Sequence, residues 1–390
     1  MNEKNYFLRD ENTKLRSSVK KLLVVSPYYC GHGGGVEIVA GQLVERLARK
    51  GWSIVWMATA GSPPPANAIW KMQAVEANNY IEEKTGVPFP WWGWKAIKKL
   101  WQETRAANVL MVHESLYIPS MLAVLVALLN RRPILLVQHV ASIPYKNFWL
   151  RALVWSGNMS WTRFIHCASD KIVYISGRVL DYFDENNIDG KISLIPNGVD
   201  NRVFFFKDSS GLKIEETRPK ILFVGRFVEK KGMDIVEGLA KIRSDLDFFL
   251  AGSGPIRPER WGLNNVSVLG HLNTATLAEQ YRKANLLILP SAGEGFPLVV
   301  QEAMATGLAP LVSDETACAL PNIEKHVYHA SVDRSSSCLL ENWSALIDHA
   351  LDSEKCGRRS SLRADFAQSQ WSWTRCVDLY DQVLCRLYKE

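Results

Sequence analysis

The chain has 390 residues, of which 47% are hydrophobic and 22% are charged. These values are typical of a globular protein and exclude a disordered or collagen-like chain. The length exceeds what one ordinary core supports and suits two domains of about 150–200 residues each. No run of about 18 apolar residues occurs, which argues against a membrane-spanning helix.

The net charge of +6 belongs to the first half of the chain. Residues 1–200 carry 23 Lys+Arg and 16 Asp+Glu, whereas residues 201–390 carry 23 and 24. A basic surface can bind a nucleic acid, an anionic membrane or an anionic substrate. No segment has the pattern of a nucleic-acid-binding module. We therefore expect no nucleic-acid partner and favour the other two.

Both the N-terminus and the cysteines indicate a cytoplasmic protein. Residues 1–20 are polar and charged, without the apolar segment of a secretory signal, and are predicted to be a mobile tail. The seven cysteines are scattered and odd in number, and none forms a CxxC pair. This arrangement favours reduced thiols over a disulfide framework or a zinc site.

The first half of the chain alternates strand and helix patterns. A continuous apolar run at 21–26 is typical of a buried parallel strand. After a glycine-rich turn, an amphipathic helix is predicted over 36–50, and a strand over 54–58 completes a βαβ unit. The later elements of this half are predicted as strands at 109–112, 134–138, 171–175 and 193–195 and as a helix at 120–129.

A second series of the same kind follows residues 201–219, which are polar and are predicted to be an interdomain linker. Its elements are predicted as strands at 220–225, 247–251, 266–269, 286–290 and 309–312 and as helices at 232–241, 274–283 and 297–306. Two such halves predict an α/β protein in which two Rossmann-like, doubly wound domains face each other across a cleft. We assign residues 21–200 to the first domain and 220–370 to the second. A helix in 371–390 is expected to pack back on a domain surface.

The segment after the strand at 286–290 is the most informative in the chain. It opens a helix, whose free N–H groups and positive dipole end suit a phosphate. Glu294 precedes this helix and Glu302 lies inside it. Eight residues at about 1.5 Å rise separate the two carboxylates by up to about 12 Å. The pair therefore suits the two ends of one elongated ligand better than the acid/base pair of a glycosidase.

Four other segments agree with this one in order and spacing. They are Gly33-Gly-Gly35-Val-Glu37, Pro196-Asn-Gly-Val-Asp200, Gly225-Arg-Phe-Val-Glu-Lys-Lys-Gly232 and Gly252-Ser-Gly254. Together with the E-x7-E motif from Glu294 to Glu302, they resemble the motifs of the family 4 retaining glycosyltransferases, which adopt the two-domain GT-B fold. The resemblance covers about residues 21–310 and implies a fold and a reaction class, but no particular substrate.

The resemblance also implies a role for individual residues. Arg226 and Lys231 would neutralise the donor diphosphate as the sugar leaves. Glu294 would contact sugar hydroxyls, and Glu302 the ribose hydroxyls. The other implied donor-binding residues are Gly34, Gly35, Gly252, Gly254, His271, Leu272, Gly295, Phe296, Leu298 and Val299. Glycines suit such positions because no Cβ intervenes between backbone and ligand.

A histidine at the end of a strand is predicted to support the transferring sugar. His139 follows the strand at 134–138, at the edge where ligands bind in open α/β sheets, and the resemblance implies this role for it. His113 also ends a strand and is the rival. Asp245 and Asp247 form a D-x-D tripeptide, but in a segment that the family uses structurally. We therefore predict no metal and no cofactor. The loop from Gly225 to Gly232, here called the basic loop, supplies the positive charge through Arg226 and Lys231, and the nucleotide sugar is a substrate.

A tryptophan- and lysine-rich segment at 89–101 suits a membrane interface, where tryptophan lies at headgroup depth and lysine meets anionic lipid. The predicted membrane contacts are Trp91, Trp92, Trp94, Lys95, Lys98, Lys99 and Trp101. The alternative is a helix packed on the core with a solvated basic face. We favour an anionic membrane surface as a partner, which predicts a peripheral protein on the inner face of the cell membrane.

Taken together, the motifs predict a retaining transferase that moves a hexose from a UDP or GDP sugar to a glycan or lipid-linked acceptor. Bacterial surface polysaccharide or lipopolysaccharide synthesis is the favoured setting. One alternative is a non-catalytic sugar-nucleotide-binding or membrane-scaffold subunit of the same fold, and another is a sugar phosphorylase or epimerase. The intact basic and acidic motif residues argue against a silent subunit, and no dedicated lysine motif for pyridoxal phosphate is found.

Overall fold

The computed structural model describes residues 19–32, 34–60, 68–78, 90–141, 156–183, 190–207, 218–292, 295, 297–319, 322–354 and 358–389. Most of the predicted tail at 1–20 and of the predicted linker at 201–219 lies outside these residues. Of the predicted site residues, Glu294 and Phe296 also lie outside them.

The strands of the described residues, in chain order, are β1 (Lys21–Tyr28), β2 (Ser53–Thr59), β3 (Lys71–Val75), β4 (Ala77–Asn78), β5 (Trp91–Trp92), β6 (Val109–His113), β7 (Ile134–Gln138), β8 (Lys171–Tyr174), β9 (Ile192–Leu194), β10 (Lys220–Val224), β11 (Asp247–Ala251), β12 (Val266–Gly270), β13 (Leu286–Leu289), β14 (Ala309–Ser313) and β15 (Tyr328–Ala330). The helices are α1 (Gly35–Arg49), α2 (Trp94–Ala106), α3 (Ile118–Leu129), α4 (Arg163–Ala168), α5 (Gly177–Phe183), α6 (Met233–Ile242), α7 (Thr274–Lys283), α8 (Leu298–Ala305), α9 (Asp314–Ala317), α10 (Leu339–Glu354), α11 (Arg358–Trp371) and α12 (Trp373–Lys389).

Two parallel sheets organise these elements. The first has the order β3–β2–β1–β6–β7–β8–β9, and the second has the order β12–β11–β10–β13–β14–β15. In each sheet the strand order reverses beside the first strand, which is the Rossmann arrangement. The predicted fold class, two Rossmann-like domains, is confirmed. The two reversal points, β1/β6 and β10/β13, are where such sheets bind ligands.

The continuous apolar strands are explained by burial on both faces of the first sheet. Side chains alternate along β1, so Leu22 and Val24 pack with α1 and α12, whereas Leu23 and Val25 pack on the side of α2 and α3. Both faces are covered by helices, so a polar side chain here needs a buried partner, as Ser26 finds in the Trp56 indole N–H and the Tyr28 carbonyl oxygen. This is why the strand reads as an unbroken apolar run.

The chain passes between the domains at two neighbouring places. Val199 and Ser372 form an isolated parallel bridge, and the Val199 N–H donates to the carbonyl oxygen of Trp371 at 2.6 Å. Beyond it, α12 returns to the first domain and buries Trp373 and Tyr380 in the core beneath α1. None of the described helices is long and apolar enough to span a membrane.

Candidate functional site

The basic loop after β10 is held against the loop after β13. Gly232 has a φ of +73°, and a Cβ there would overlap the carbonyl oxygen of Pro290. The Ala292 N–H donates to the carbonyl oxygen of Lys230 at 2.9 Å. The two loops that begin at the reversal point of the second sheet therefore form one surface.

The predicted cations lie on this surface. Arg226 is exposed and Lys231 is partly exposed. The Lys231 Cδ atom lies 3.8 Å from the position that a Cβ on Gly225 would take, so its side chain runs over the end of β10. Both residues thus lie at the edge where an anionic ligand of this sheet would bind.

The glycine turn after β11 packs against the basic loop. A Cβ on Gly252 would overlap the carbonyl oxygen of Gly225, and one on Gly254 would overlap the backbone of Phe227. The Phe227 N–H donates to the carbonyl oxygen of Ser253 at 2.9 Å. Both glycines are therefore required for loop packing, independently of any ligand. His271 and Leu272 follow β12 nearby, the first exposed and the second partly exposed.

Helix α8 presents its N-terminus to the same surface. The helix begins at Leu298, and Pro297 is its N-cap residue rather than part of its first turn. Proline has no side-chain acceptor, and within the described residues no side chain caps this end. The first-turn N–H groups of Leu298 and Val299 therefore suit an anion, as predicted for a helix N-terminus.

Glu302 is paired with a residue that sequence reasoning missed. The Tyr281 hydroxyl donates to Glu302 Oε2 at 3.0 Å. Burial raises the pKa of Glu302 to about 7, and the hydrogen bond from Tyr281 offsets part of that rise. Burial and the neighbouring carboxylate raise the pKa of Tyr281 well above its usual value. Tyr281 lies on α7 at an ordinary core position, so no local signal marks it.

On the first sheet, the two rival histidines are partners. His113 ends β6 and His139 follows β7, and His113 Nδ1 lies 3.0 Å from His139 Nε2. Burial lowers the pKa of His139 to about 3. Burial, and then the adjacent His139, hold the pKa of His113 well below its usual value. Both imidazoles are therefore neutral at physiological pH.

Glu114, which sequence reasoning also missed, lies beside this pair. Its Oε2 accepts from the N–H groups of His139 at 3.2 Å and Val140 at 3.0 Å. Its Oε1 accepts from the Ser115 N–H at 3.3 Å and from the Gln138 side chain. Burial raises the pKa of Glu114 to about 7, against these four hydrogen bonds. Its place directly after a strand-ending histidine was the one available sequence signal.

The two domains meet at this point. A Cβ on Gly295 would overlap the carbonyl oxygen of His139. Nearby, the Gly177 N–H donates to the carbonyl oxygen of Ala319 at 2.7 Å, and Arg178 forms a salt bridge with Glu315 at 2.9 Å. The structure therefore brings the loop of the E-x7-E motif directly against the predicted histidine.

The N-terminal glycine loop leads into α1. Gly34 is the N-cap residue, and the buried side chain of Glu37 folds back so closely that a Cβ on Gly34 would overlap it. A Cβ on Gly35 would meet nothing within 4 Å. A side chain at Gly34 would displace the Glu37 carboxylate, whereas the backbone at Gly35 borders open space.

The D-x-D tripeptide is explained by ion pairs. Arg243 contacts Asp245 at 2.7 Å, and its hydrogen bonds hold the pKa of Asp245 below the usual range. Arg218 lies 3.8 Å from Asp247. Across the described part of the chain, no group of three or more His, Cys, Asp or Glu side chains could hold a metal ion.

The aromatic segment is divided between surface and core. Trp91, Trp94 and Trp101 are 61%, 79% and 38% exposed. The prediction of a membrane contact was wrong for Trp92, which is 2% exposed and donates its indole N–H to Thr59 Oγ1 at 3.0 Å. The lysines of the segment remain exposed, and these are Lys95, Lys98 and Lys99.

Comparison with known proteins agrees with this architecture. Two family descriptions match in series, Glycosyltransferase Family 4 over residues 33–202 and Glycosyl transferases group 1 over residues 218–348. An uncharacterised glycosyltransferase of Methanocaldococcus jannaschii is 31% identical over 144 residues, which are 35% of this chain and 38% of its own. The N-acetyl-alpha-D-glucosaminyl L-malate synthase of Bacillus anthracis is 24% identical over 380 residues, which are 90% of this chain and 93% of its own.

Among solved structures, HepE of Anabaena in complex with UDP superposes with a TM-score of 0.69 at 14% identity. That alignment covers 94% of this chain and all of the other.

The chain spans well under half the length of two of the sequence relatives. The M. jannaschii protein and a second glycosyltransferase of that organism are matched over 38% and 40% of their own length. The two family matches, in the same order as the two sheets, show that this chain belongs to the family 4 glycosyltransferases of the group 1 type.

Proposed function

We propose that the protein transfers a hexose from a nucleoside diphosphate sugar to a hydroxyl acceptor and that the product keeps the anomeric configuration of the donor. The observation that carries this proposal is the contact between Gly295 and the His139 carbonyl oxygen. It brings the surface with Arg226 and Lys231 opposite the neutral histidine pair. A diphosphate on one side and a sugar on the other fit that arrangement.

The donor half would act mainly through electrostatics. As the bond from the sugar to the phosphate breaks, negative charge accumulates on the diphosphate. Arg226, Lys231 and the first-turn N–H groups of α8 would stabilise that charge, at about 3 kcal/mol for each well-placed donor. Glu302 would accept hydrogen bonds from the ribose hydroxyls, and Glu294 would contact the sugar. No metal ion or cofactor is required in this scheme.

The chemistry of Glu114 favours same-face displacement over a covalent intermediate. Both of its carboxylate oxygens hold the backbone after β7, so we assign Glu114 a structural role rather than that of a nucleophile. In the proposed reaction the bond from the anomeric carbon to the phosphate oxygen breaks. A bond to the acceptor oxygen forms on the same face, and the acceptor proton passes to the departing phosphate oxygen.

UDP and GDP are both proposed as the donor nucleotide. The HepE structures, with UDP and with UDP-glucose, support UDP as the first to test. The nucleobase would lie beside the turn of Gly252 and Gly254 and the residues after β12. A neutral His139 would support the sugar through a hydroxyl group, without adding charge to the transition state.

The acceptor is proposed to be a glycan or a lipid-linked glycan of bacterial surface polysaccharide or lipopolysaccharide synthesis. The exposed tryptophans and lysines of α2 and of the segment before it support a position on an anionic membrane. Tryptophan suits the headgroup region, and each lysine gains about 1 kcal/mol near an anionic surface. The protein would then be cytoplasmic and peripheral on the inner face of the membrane.

A thermal-shift screen tests the proposal, with UDP, GDP, ADP and their sugars as ligands. Lys231→Ala and Glu302→Ala should lose the shift given by the correct nucleotide. Lys241→Ala is the matched control, because Lys241 is an exposed lysine on α6 that pairs with Glu237. With the donor identified, NMR of the product then gives the anomeric configuration, and an inverted product would contradict the retaining mechanism.

The same experiments distinguish the alternatives. Nucleotide-dependent stabilisation without donor hydrolysis or transfer would favour a silent sugar-nucleotide-binding subunit. Vesicle binding with no shift for any nucleotide at millimolar concentration would favour a membrane scaffold. Phosphate-dependent cleavage of a glycoside, or a change in the sugar of the nucleotide, would favour a phosphorylase or an epimerase.

A further inference from the structure

His139 is oriented by the last residue of β6, His113, and by Glu114, which follows it. His113 and Glu114 are both buried, and each contacts a different part of His139. His113 contacts the imidazole, whereas Glu114 contacts the backbone. The register of the sheet explains this, because His113 pairs with Val137, two residues before His139.

Glu114 fixes the path of the chain after β7. Its Oε2 accepts from the N–H groups of two consecutive residues, His139 and Val140. Through Oε1 it also holds Gln138, whose side-chain amide donates to the carbonyl oxygen of Val140 at 2.8 Å. A single carboxylate therefore fixes the backbone of His139 and Val140, and with it the position of the His139 carbonyl oxygen against Gly295.

The backbone of Glu114 is itself unusual. Its φ is +67°, in the left-handed region that residues other than glycine and asparagine rarely adopt. Such strain persists only where the surrounding structure imposes it, and it is common at functional sites. Here the strained backbone directs the carboxylate toward the end of β7 rather than toward solvent.

His113 determines the tautomer of His139. The Nε2 atom of His113 is buried and, among the described residues, has no hydrogen-bond partner. A proton on that atom would be a buried donor without an acceptor, which is rarer in proteins than a buried acceptor without a donor. The proton of His113 is therefore assigned to Nδ1, which donates to His139 Nε2. His139 must then carry its own proton on Nδ1.

We infer that His113 and Glu114 are positioning residues for His139: His113 makes it an Nδ1–H donor, and Glu114 fixes its backbone against Gly295. The kinetic part of this inference depends on the proposed transfer reaction, whereas the tautomer does not. In that reaction a His139 held in this form donates a hydrogen bond to a sugar hydroxyl and cannot accept one through Nε2.

The tautomer is measured directly by long-range ¹H–¹⁵N NMR of the full chain labelled with ¹⁵N-histidine. His139→Asn and His113→Asn identify the two residues in the spectrum. The expected result is a neutral His139 protonated on Nδ1. A His139 protonated on Nε2 overturns the assignment, whether or not the protein proves to be a transferase.

A pair of variants at His113 separates hydrogen bonding from packing. The amide nitrogen of Asn lies close to where histidine has Nδ1, so His113→Asn retains a donor to His139, whereas His113→Leu fills the space without one. We expect kcat to stay within about threefold in the Asn variant and to fall about tenfold or more in the Leu variant. Equal losses in the two variants would overturn the role of the hydrogen bond. If the Leu variant does not fold, an Asn variant in which His139 remains protonated on Nδ1 supports the inference, and one in which it does not contradicts it.

A second pair of variants tests the carboxylate of Glu114. Glu114→Gly relieves the strain at φ +67° but removes both acceptor oxygens, and Glu114→Gln keeps the size but replaces one acceptor by a donor. Both should lower kcat by about 10–100-fold, because the reacting groups are displaced, while KM for the donor changes by less than about threefold. Wild-type kcat in the Gly variant would show that the carboxylate does not position His139. If the wild type binds the nucleotide but transfers no sugar, the proposed function is wrong, whereas the tautomer assignment still holds.

Discussion

The carbonyl oxygen of His139 lies where a side chain on Gly295 would begin. His139 follows a strand of the first sheet, and Gly295 belongs to the loop that leads into α8 of the second. The backbone of Gly295 is not in the left-handed region, so glycine is required there by the contact and not by backbone conformation. Closure of the cleft therefore depends on the absence of one methyl group.

Gly295→Ala is expected to hold the two domains apart at this point. A displacement of about 1 Å between reacting groups costs about 100-fold in rate, so kcat for sugar transfer should fall by 10–100-fold. Nucleotide affinity should fall less than kcat, because Arg226, Lys231 and Glu302 remain in place on the second domain, although Gly295 precedes the N-terminus of α8. Steady-state kinetics together with calorimetric titration of the nucleotide would measure both.

Gly93→Ala is the control, because Gly93 has a φ of −82° and open space around its Cβ position. Loss of nucleotide binding equal to the loss of kcat would show that Gly295 acts within the donor site instead.

Glu302 should make the stability of the free protein depend on pH. Burial raises its pKa from 4.5 to about 7, so the folded state favours the protonated form more than the unfolded chain does. The stabilising contribution is complete below about pH 4.5 and is lost as the pH rises through 7. At 1.36 kcal/mol for each pKa unit, the loss is about 3 kcal/mol by pH 8.5.

Glu302→Gln isolates this contribution, because glutamine still accepts a hydrogen bond from Tyr281 but does not ionise. Urea unfolding of both proteins between pH 5 and pH 8.5 measures the difference. The variant should gain stability relative to the wild type as the pH rises, although Glu114 titrates in both proteins. A constant difference across this range would mean that Glu302 has an ordinary pKa in the folded protein.

Arg363 and Glu354 form a buried ion pair at 2.6 Å that joins α10 to α11. Arg363 also donates to the carbonyl oxygens of Gly307 and His326, both at 2.8 Å. Arg363→Met leaves the carboxylate of Glu354 without its charge partner, and we expect a loss of about 3–5 kcal/mol in the free energy of unfolding. The exposed pair of Lys241 and Glu237 provides the contrast, since Lys241→Met should cost less than about 1 kcal/mol. Equal effects in urea unfolding would contradict the importance of burial.

The sequence predicted the two domains because the strands are buried on both faces and therefore appear as short apolar runs. The glycine and basic motifs were also visible, because loop packing and charge require particular residues at fixed spacing. Pairings between distant parts of the chain were not visible. Tyr281 meets Glu302 only because α7 and α8 pack beside the same sheet, and Glu114 meets His139 only through the register of β6 with β7.

Trp92 shows a different kind of error. Trp91 and Trp92 form β5, where successive side chains point to opposite faces. Two adjacent strand residues cannot both face a membrane, so one of them had to be buried. Treating the four tryptophans as one aromatic surface overlooked this alternation, which a strand assignment for the pair would have supplied.

The exposed part of the segment should still determine membrane binding. Trp94, Lys98 and Lys99 all project from α2 into solvent. Reversal of both lysines in Lys98→Glu/Lys99→Glu should weaken binding to vesicles of phosphatidylglycerol and phosphatidylcholine by at least about tenfold, at about 1 kcal/mol for each lysine removed. Trp94→Ser should weaken it further, and 0.5 M salt should reduce the effect of the lysines.

Co-sedimentation with vesicles measures this binding, and the matched control is Lys241→Glu/Lys283→Glu. Both control lysines are exposed on helices of the second domain and give the same change in net charge. If the two double variants lose binding equally, the overall charge of the protein is responsible and α2 has no special role. Equal binding of the wild type to pure phosphatidylcholine would exclude an anionic lipid as the partner. A loss confined to the α2 variants would identify this face of the first domain, opposite α1 and α12 across the first sheet, as the side that meets the membrane.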